Sequence, residues 1–149
     1  MVLDELQVAK VLCLSAHKGQ VDKNGVDFYT HPFRVSDSCE TENEKILAYI
    51  HDIVETPECG LNLNHFIYMG FSEEIIQALD AITRKQGESY SDYIVRVSKN
   101  KLATKVKIKD IMDNLRKDRW CWGARDNSNW HWERYTDAYR RLTGEDYNE

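Results

Sequence analysis

Apolar residues in this chain recur at intervals of three and four, and no stretch alternates apolar with polar over a strand's length, so helices are what the pattern can build. The two prolines, Pro32 and Pro57, and the seven glycines fall mainly between these runs, where they punctuate helices rather than break them. Over residues 3–17 the apolar stripe is Leu6, Ala9, Cys13 and Ala16, and the segment HKGQVDKNG, ending at Gly25, interrupts it. A loop follows to Thr30. Pro32 suits the first turn of a short helix, since the N–H it lacks would have no intrahelical partner there, and His31 then stands at the helix entrance. Residues 41–56 place Ile46, Leu47, Ile50, Ile53 and Val54 on one stripe, which predicts a deeply packed helix stopped by Pro57. Ser72, followed by Glu73 and Glu74, marks another start, because the hydroxyl can cap free N–H groups and the acids favour the positive dipole end. Its apolar face is Ile75, Leu79 and Ile82. Further helices are predicted over 90–99 (Tyr93, Ile94, Val97), 101–116 (Leu102, Val106, Met112) and 129–142 (Trp132, Tyr135, Tyr139, Leu142). The expectation is one all-α domain over residues 1–149, without internal repeats.

A chain of 149 residues buries enough surface to make a core without disulfide or metal staples. Its formal net charge of −5 disfavours a partner such as long nucleic acid, although local basic clusters can bind one small polyanion. The N-terminal segment MVLDELQVAKVLCLSAH lacks the basic flank and unbroken apolar run of a signal peptide, and no stretch has the length of a membrane span. A cytoplasmic protein with no membrane partner is therefore expected. Cys13, Cys39, Cys59 and Cys121 form no CxxC pair, which points to reduced, partly buried thiols.

The chemistry concentrates around His51 and Asp52. An adjacent His-Asp pair arises readily by chance, but on a helix Glu55 would share their face, four residues after His51 and three after Asp52. Burying His, Asp and Glu on an otherwise apolar helix is costly unless they are paired or bind a cation, which gives metal ligation a physical reason. His31 and Asp110 are the natural further ligands, and two imidazoles with two carboxylates suit Mn, Fe, Co or Zn better than Ca or Mg. Taken singly, a buried His or Asp is more often a hydrogen-bonded structural group than a ligand.

The segments AHKGQVDKNGVDFYTHP, AYIHDIVET and KVKIKDIMDN, in that order, resemble the three ligand segments of the HD-domain phosphohydrolases. More narrowly they resemble the (p)ppGpp hydrolase domain of bifunctional alarmone enzymes and its stand-alone small relatives. The likeness runs over residues 8–115 and includes ITRKQGESYSDYIVRV; the Trp-rich loop and last helix, 117–149, are the least family-like part. The resemblance implies a single HD-domain bundle of seven or eight helices, with His31, His51, Asp52 and Asp110 holding one divalent ion, usually Mn in alarmone hydrolases. Glu55 matches the first of two acids that help activate water, so Glu55 and Asp52 would carry catalysis. Lys23 matches a basic residue of the substrate-facing loop, and Asn114 an Asn that shapes the nucleotide pocket; Arg84 and Tyr90 are the next substrate-binding candidates. The implied activity is hydrolysis of a (p)ppGpp-like 3'-pyrophosphate, with another phosphorylated nucleotide, or a catalytically weak nucleotide-binding module, as alternatives.

The departures bear on the substrate. Thr56 stands where a second acid is usual, Asp22 precedes Lys23 where Arg is usual, and Asp113 replaces a common His. Asp22 cannot stack on a base as a guanidinium does, and it repels phosphates. Other cations that can neutralise phosphate are Lys18, Arg34, Lys85, Arg96 and Lys107, each also readable as a solvated surface charge. Trp120, Trp122, Trp130 and Trp132 surround a polar loop where exposed aromatics would stack on a purine or form a homodimer contact, while Trp132 is in phase for packing. His17, His65 and His131 lack a partner pattern and read as structural.

Overall fold

In a computed structural model that describes residues 3–116 and 128–148, every regular element is a helix. These are α1 (Glu5–Ala16), α2 (Thr30–Asp37), α3 (Glu42–Ile50), α4 (Leu63–Tyr68), α5 (Glu73–Ile82), α6 (Tyr90–Ser98), α7 (Lys101–Asn114) and α8 (Ser128–Thr143), with a single 3₁₀ turn at Pro57–Cys59. Short polar side chains start most of them. The Asp4 carboxylate accepts from the Gln7 amide at 2.8 Å while Gln7 reaches back to the Asp4 amide, and Thr41, Ser72, Ser89 and Asn100 cap α3, α5, α6 and α7. None of the described helices is long and apolar enough to cross a membrane.

The bundle is built around α3, which packs against α1, α2, α5 and α7. Ile46, Leu47 and Ile50 from α3 and Ile53 just beyond it are fully buried with Ile75, Leu79, Ile82, Ile94, Val106 and Ile111. Each such side chain contributes about 1.5–3 kcal/mol relative to exposure. α8 lies across α6 and α7, with Ala138 buried and Trp132, Tyr135, Tyr139 and Leu142 packed against the core, as their phase predicted.

Three expectations change. α3 stops at Ile50 instead of running to 56: the Ala48 carbonyl accepts from Nδ1 of His51 at 2.6 Å, and the chain continues through Ile53-to-Ile50 and Thr56-to-Ile53 bonds of the tighter i→i+3 kind. Met112 is exposed rather than part of the buried face of α7, because that face is Ala103, Val106, Lys107, Asp110, Ile111 and Asp113. α4 had no counterpart in the apolar pattern, as only Phe66 of its six residues is buried. Trp120, Cys121, Trp122 and the side chain of Trp130 lie outside the described residues; Cys13, Cys39 and Cys59 are free thiols.

Candidate metal centre

Three segments deliver the four candidate ligands to one place. His31 comes from the first turn of α2, His51 and Asp52 from the turn that ends α3, and Asp110 from the third turn of α7. One donor atom of each lies within 4.8 Å of all the others, and His31, His51 and Asp110 are buried. Nε2 of His31 is 2.8 Å from Asp110 Oδ1 and 3.4 Å from Asp52 Oδ2; Nε2 of His51 is 3.2 and 3.1 Å from the same two atoms.

The far side of each ring fixes what the near side can do. Nδ1 of His51 faces a carbonyl, which can only accept, so this nitrogen carries a proton. Nδ1 of His31 donates to Asp113 Oδ2 at 2.6 Å, and Asp113 is held in turn by Arg34 Nε at 2.9 Å and Nη2 at 3.1 Å. In their neutral forms both imidazoles therefore present an Nε2 lone pair to the two carboxylates, the tautomer that metal-ligating histidines adopt. This buried His/Asp group can hold a metal ion.

With protons in place of a cation the same group is an ion-pair cluster. Burial pushes His31 down, but its bonds to Asp110, Asp113 and Asp52 outweigh burial and hold its pKa up at about 9. His51 is likewise raised, burial being overcome by the charges of Asp52 and Asp110. Burial raises Asp52 and Asp110, yet His51 and His31, and Lys107 in the case of Asp110, hold both well below the usual carboxylate range. Lys107 Nζ sits 2.8 Å from Asp110 Oδ2, so this lysine is a buried partner of a candidate ligand and not a surface charge.

Beside the cluster lies a cavity of about 270 Å³ lined by His31, Asp52, Glu55, Arg84, Tyr90, Lys107, Asp110 and Asn114, with Phe28, Tyr93, Arg134 and Tyr135. Seven of the nine predicted site residues line this one space, His31, Asp52, Glu55, Arg84, Tyr90, Asp110 and Asn114, whereas His51 and Lys23 do not. Glu55 reaches it from the turn after α3, not from a helix face as expected, and Oε1 accepts a short bond from the backbone N–H of Arg84. Burial, and then the negative charge of Asp52, raise the Glu55 pKa. Asn114 Nδ2 donates to Asp110 Oδ1 at 3.3 Å.

Lys23 is exposed and does not line the cavity, though its charge acts on His131 of α8. The neighbouring Asp22 builds the loop: its carboxylate accepts from the Asn24 and Val26 amides at 2.8 and 3.0 Å, and Gly25 turns the chain at φ +78°. Thr56 donates to the Asp52 carbonyl at 2.7 Å. Among the other cations, Lys18 is exposed, Lys85 pairs with Asp80, and Arg96 braces residues 80–88 through Glu88 and the Asp80, Ala81 and Thr83 carbonyls. His17 is buried with Nε2 unpartnered, and His65 caps α4. Sequence reasoning missed Phe28, Arg134 and Tyr135 as lining residues; Arg134 and Tyr135 stand beside the Trp132 whose phase pointed to packing, and nothing local marked them as facing a cavity. No protein-family model matches the sequence.

Proposed function

We propose that this protein is a metal-dependent phosphohydrolase of the HD type, acting on a phosphorylated nucleotide, with (p)ppGpp-like 3'-pyrophosphate hydrolysis as the leading activity. The observation that carries the proposal is the paired tautomer: two histidines, each with Nδ1 committed to an acceptor behind it, turn Nε2 toward Asp52 and Asp110. The residues that would hold the ion are His31, His51, Asp52 and Asp110, and their mixed nitrogen and oxygen donors suit Mn among the candidates. A divalent ion there supplies Lewis acidity, stabilising charge on a phosphoryl oxygen and lowering the pKa of water.

The chain's own groups do the rest. Glu55 is anchored through Oε1, which leaves Oε2 to take a proton from the attacking water, and its raised pKa suits a group that must bind that proton. Water adds to phosphorus, the bond from phosphorus to the leaving oxygen breaks, one water proton passes to Glu55, and the leaving oxygen takes a proton from solvent. Arg84 offers positive charge to the phosphate oxygens from the cavity wall, and Asn114 steadies Asp110.

Asp22 and Thr56 favour the second reading, the same chemistry on another nucleotide. Asp22 is committed to its own loop and Thr56 to the Asp52 carbonyl, so neither supplies the guanidinium or the second acid that alarmone hydrolases usually have. The test is product release from ppGpp, pppGpp, ppApp and GTP with Mn added, for wild type and Asp52→Ala. Pyrophosphate from the alarmones, lost in Asp52→Ala, is the expected result; activity on other nucleotides alone selects the second reading, and Mn binding without turnover of any of them overturns both.

A further inference from the structure

We propose that a second cavity, formed by α2 and α7 on the far side of His31, is a regulatory site for a phosphate-type oxyanion whose binding tightens the hold of the candidate centre on a cation. Only that coupling rests on the metal-centre reading; the pocket stands on its own observations. It has a volume of about 300 Å³, is lined by Arg34, Lys109, Met112, Asp113, Arg116 and Tyr147, and shares no lining residue with the cavity beside the candidate ligands. Three cations against one carboxylate leave a local surplus of two positive charges, in a chain whose net charge is −5. Lys109 is half-buried and makes no hydrogen bond or ion pair with any described residue. A partly desolvated cation with no counter-charge is unfavourable, and an anion in the cavity supplies one.

Arg34 spends Nε and Nη2 on Asp113 and keeps the donors of Nη1, so its fork is held in place while one arm can serve the anion. Arg116 lies 3.4 Å from Asp113 Oδ1 and counts toward neutralising that carboxylate; the site does not depend on it. The exposed Met112 gives the pocket an apolar side, together with the Tyr147 ring, which Trp132 and Tyr139 hold edge-on. The link to the centre is Asp113, whose Oδ2 accepts from Arg34 Nη2 and from His31 Nδ1. An oxyanion between Arg34 and Lys109 offsets the cations behind His31, which favours a cation on the Nε2 side of the ring. Linkage makes the effect reciprocal, so the cation tightens the anion by the same factor.

Sulfate, a tetrahedral dianion, is the probe, titrated at constant ionic strength into full-length, chelator-treated protein with ¹³C-methyl methionine. Of the three methionines only Met112 lines the pocket, so a saturable shift of its methyl resonance, with Met69 unmoved, locates the anion. The dissociation constant is expected to rise about fivefold in Lys109→Gln and beyond measurement in Lys109→Glu, with melting unchanged in both. Saturating sulfate should tighten Mn binding, read by electron paramagnetic resonance, about fivefold in wild type, the lower end of ordinary coupling between sites, and leave Lys109→Glu unaffected. Phenylphosphonate binding threefold or more tighter than sulfate assigns an organic phosphate with its body on Met112 and Tyr147; equal affinity assigns the free oxyanion. No Met112 shift, or a shift that survives Lys109→Glu, overturns the pocket, and Mn affinity indifferent to bound sulfate overturns the coupling. Sulfate binding that needs Lys109 in a protein that binds no Mn overturns the metal centre and the coupling with it, and leaves the pocket standing.

Discussion

Asp113→Asn isolates what the carboxylate behind His31 contributes. Both of its oxygens accept: Oδ2 from His31 Nδ1 at 2.6 Å and Arg34 Nη2 at 3.1 Å, Oδ1 from Arg34 Nε at 2.9 Å and Arg116 Nη1 at 3.4 Å. An amide of the same shape has one accepting oxygen, so its NH₂ must face a donor. The affordable orientation keeps the oxygen on the buried His31 and turns the NH₂ toward Arg34, whose side chain is 32% exposed and can swing into solvent. His31 then keeps its tautomer but loses a full negative charge behind the ring, and with it ligand basicity. Removing such an outer partner typically lowers metal affinity roughly 10–100-fold, or about 1.4–2.7 kcal/mol. The assay is a Mn titration followed by electron paramagnetic resonance against a competing chelator at pH 7.5. Arg34→Ala is the control: it removes the cation but leaves the carboxylate on His31, so its loss should be several-fold smaller. Asp113→Asn within threefold of wild type, with melting unchanged, would refute the argument that this carboxylate tunes the ligand.

Two further outcomes follow from the same interactions. In metal-free protein the His31 pKa is raised from 6.5 to about 9, so its contribution to stability is complete below pH 6.5 and is lost as pH rises through 9; Mn needs the neutral imidazole, so the gap in melting temperature between Mn-loaded and chelated protein should widen from pH 6.5 to 8.5, with proton release on binding, and a constant gap would count against metal ligation by His31. Arg96→Ala should destabilise by about 2–4 kcal/mol in urea unfolding, since it strips partners from Glu88 and from the carbonyls of Asp80, Ala81 and Thr83 together; a loss under about 0.5 kcal/mol would show these bonds to be replaceable by water.

Periodicity located the helices whose buried face is apolar and misread those whose buried face is polar. α1, α5 and α6 fall where their stripes predicted, and the Ser72 cap marks the start of α5. α7 was found, but Met112 was put on its inner face, because a rule that seeks apolar residues cannot count Lys107, Asp110 and Asp113 as inside. The same blindness made Lys107 look like a surface charge. The end of α3 was misplaced because Ile53 and Val54 continue the stripe; what stops the helix is the His51 imidazole on the Ala48 carbonyl, a side-chain choice that no hydrophobic pattern records. α4 exposes Ile67 and Tyr68, as does its C-cap Met69, and buries only Phe66, so its one legible signal was the Asn62 cap with Gly70 beyond its end. The cluster of His31, His51, Asp52 and Asp110 was legible because burial of so many ionisable groups demands a reason, whereas the place of Arg134 was not, since it reaches the cavity only where α8 meets Tyr90.

The two sides of the cavity are tied together by the main chain. Arg96 holds the end of α5 through the Asp80 carbonyl and the segment after it through the Thr83 carbonyl, that segment presents the Arg84 amide, and the Arg84 amide holds Oε1 of Glu55. A carboxylate on a turn would otherwise be free to rotate, and beside Asp52 it would be repelled outward by like charge. The amide opposes that repulsion with a directed bond, and although this bond and the Lys107 charge pull the Glu55 pKa down, burial and Asp52 outweigh them and keep it raised. Because the same residue brings its side chain to Tyr90, the spacing between the Glu55 carboxylate and the Arg84 guanidinium is set within one residue, Arg84, rather than by the packing of separate helices. If Glu55 and Arg84 act as proposed, a small shift of the surrounding helices would move both together and leave their spacing unchanged.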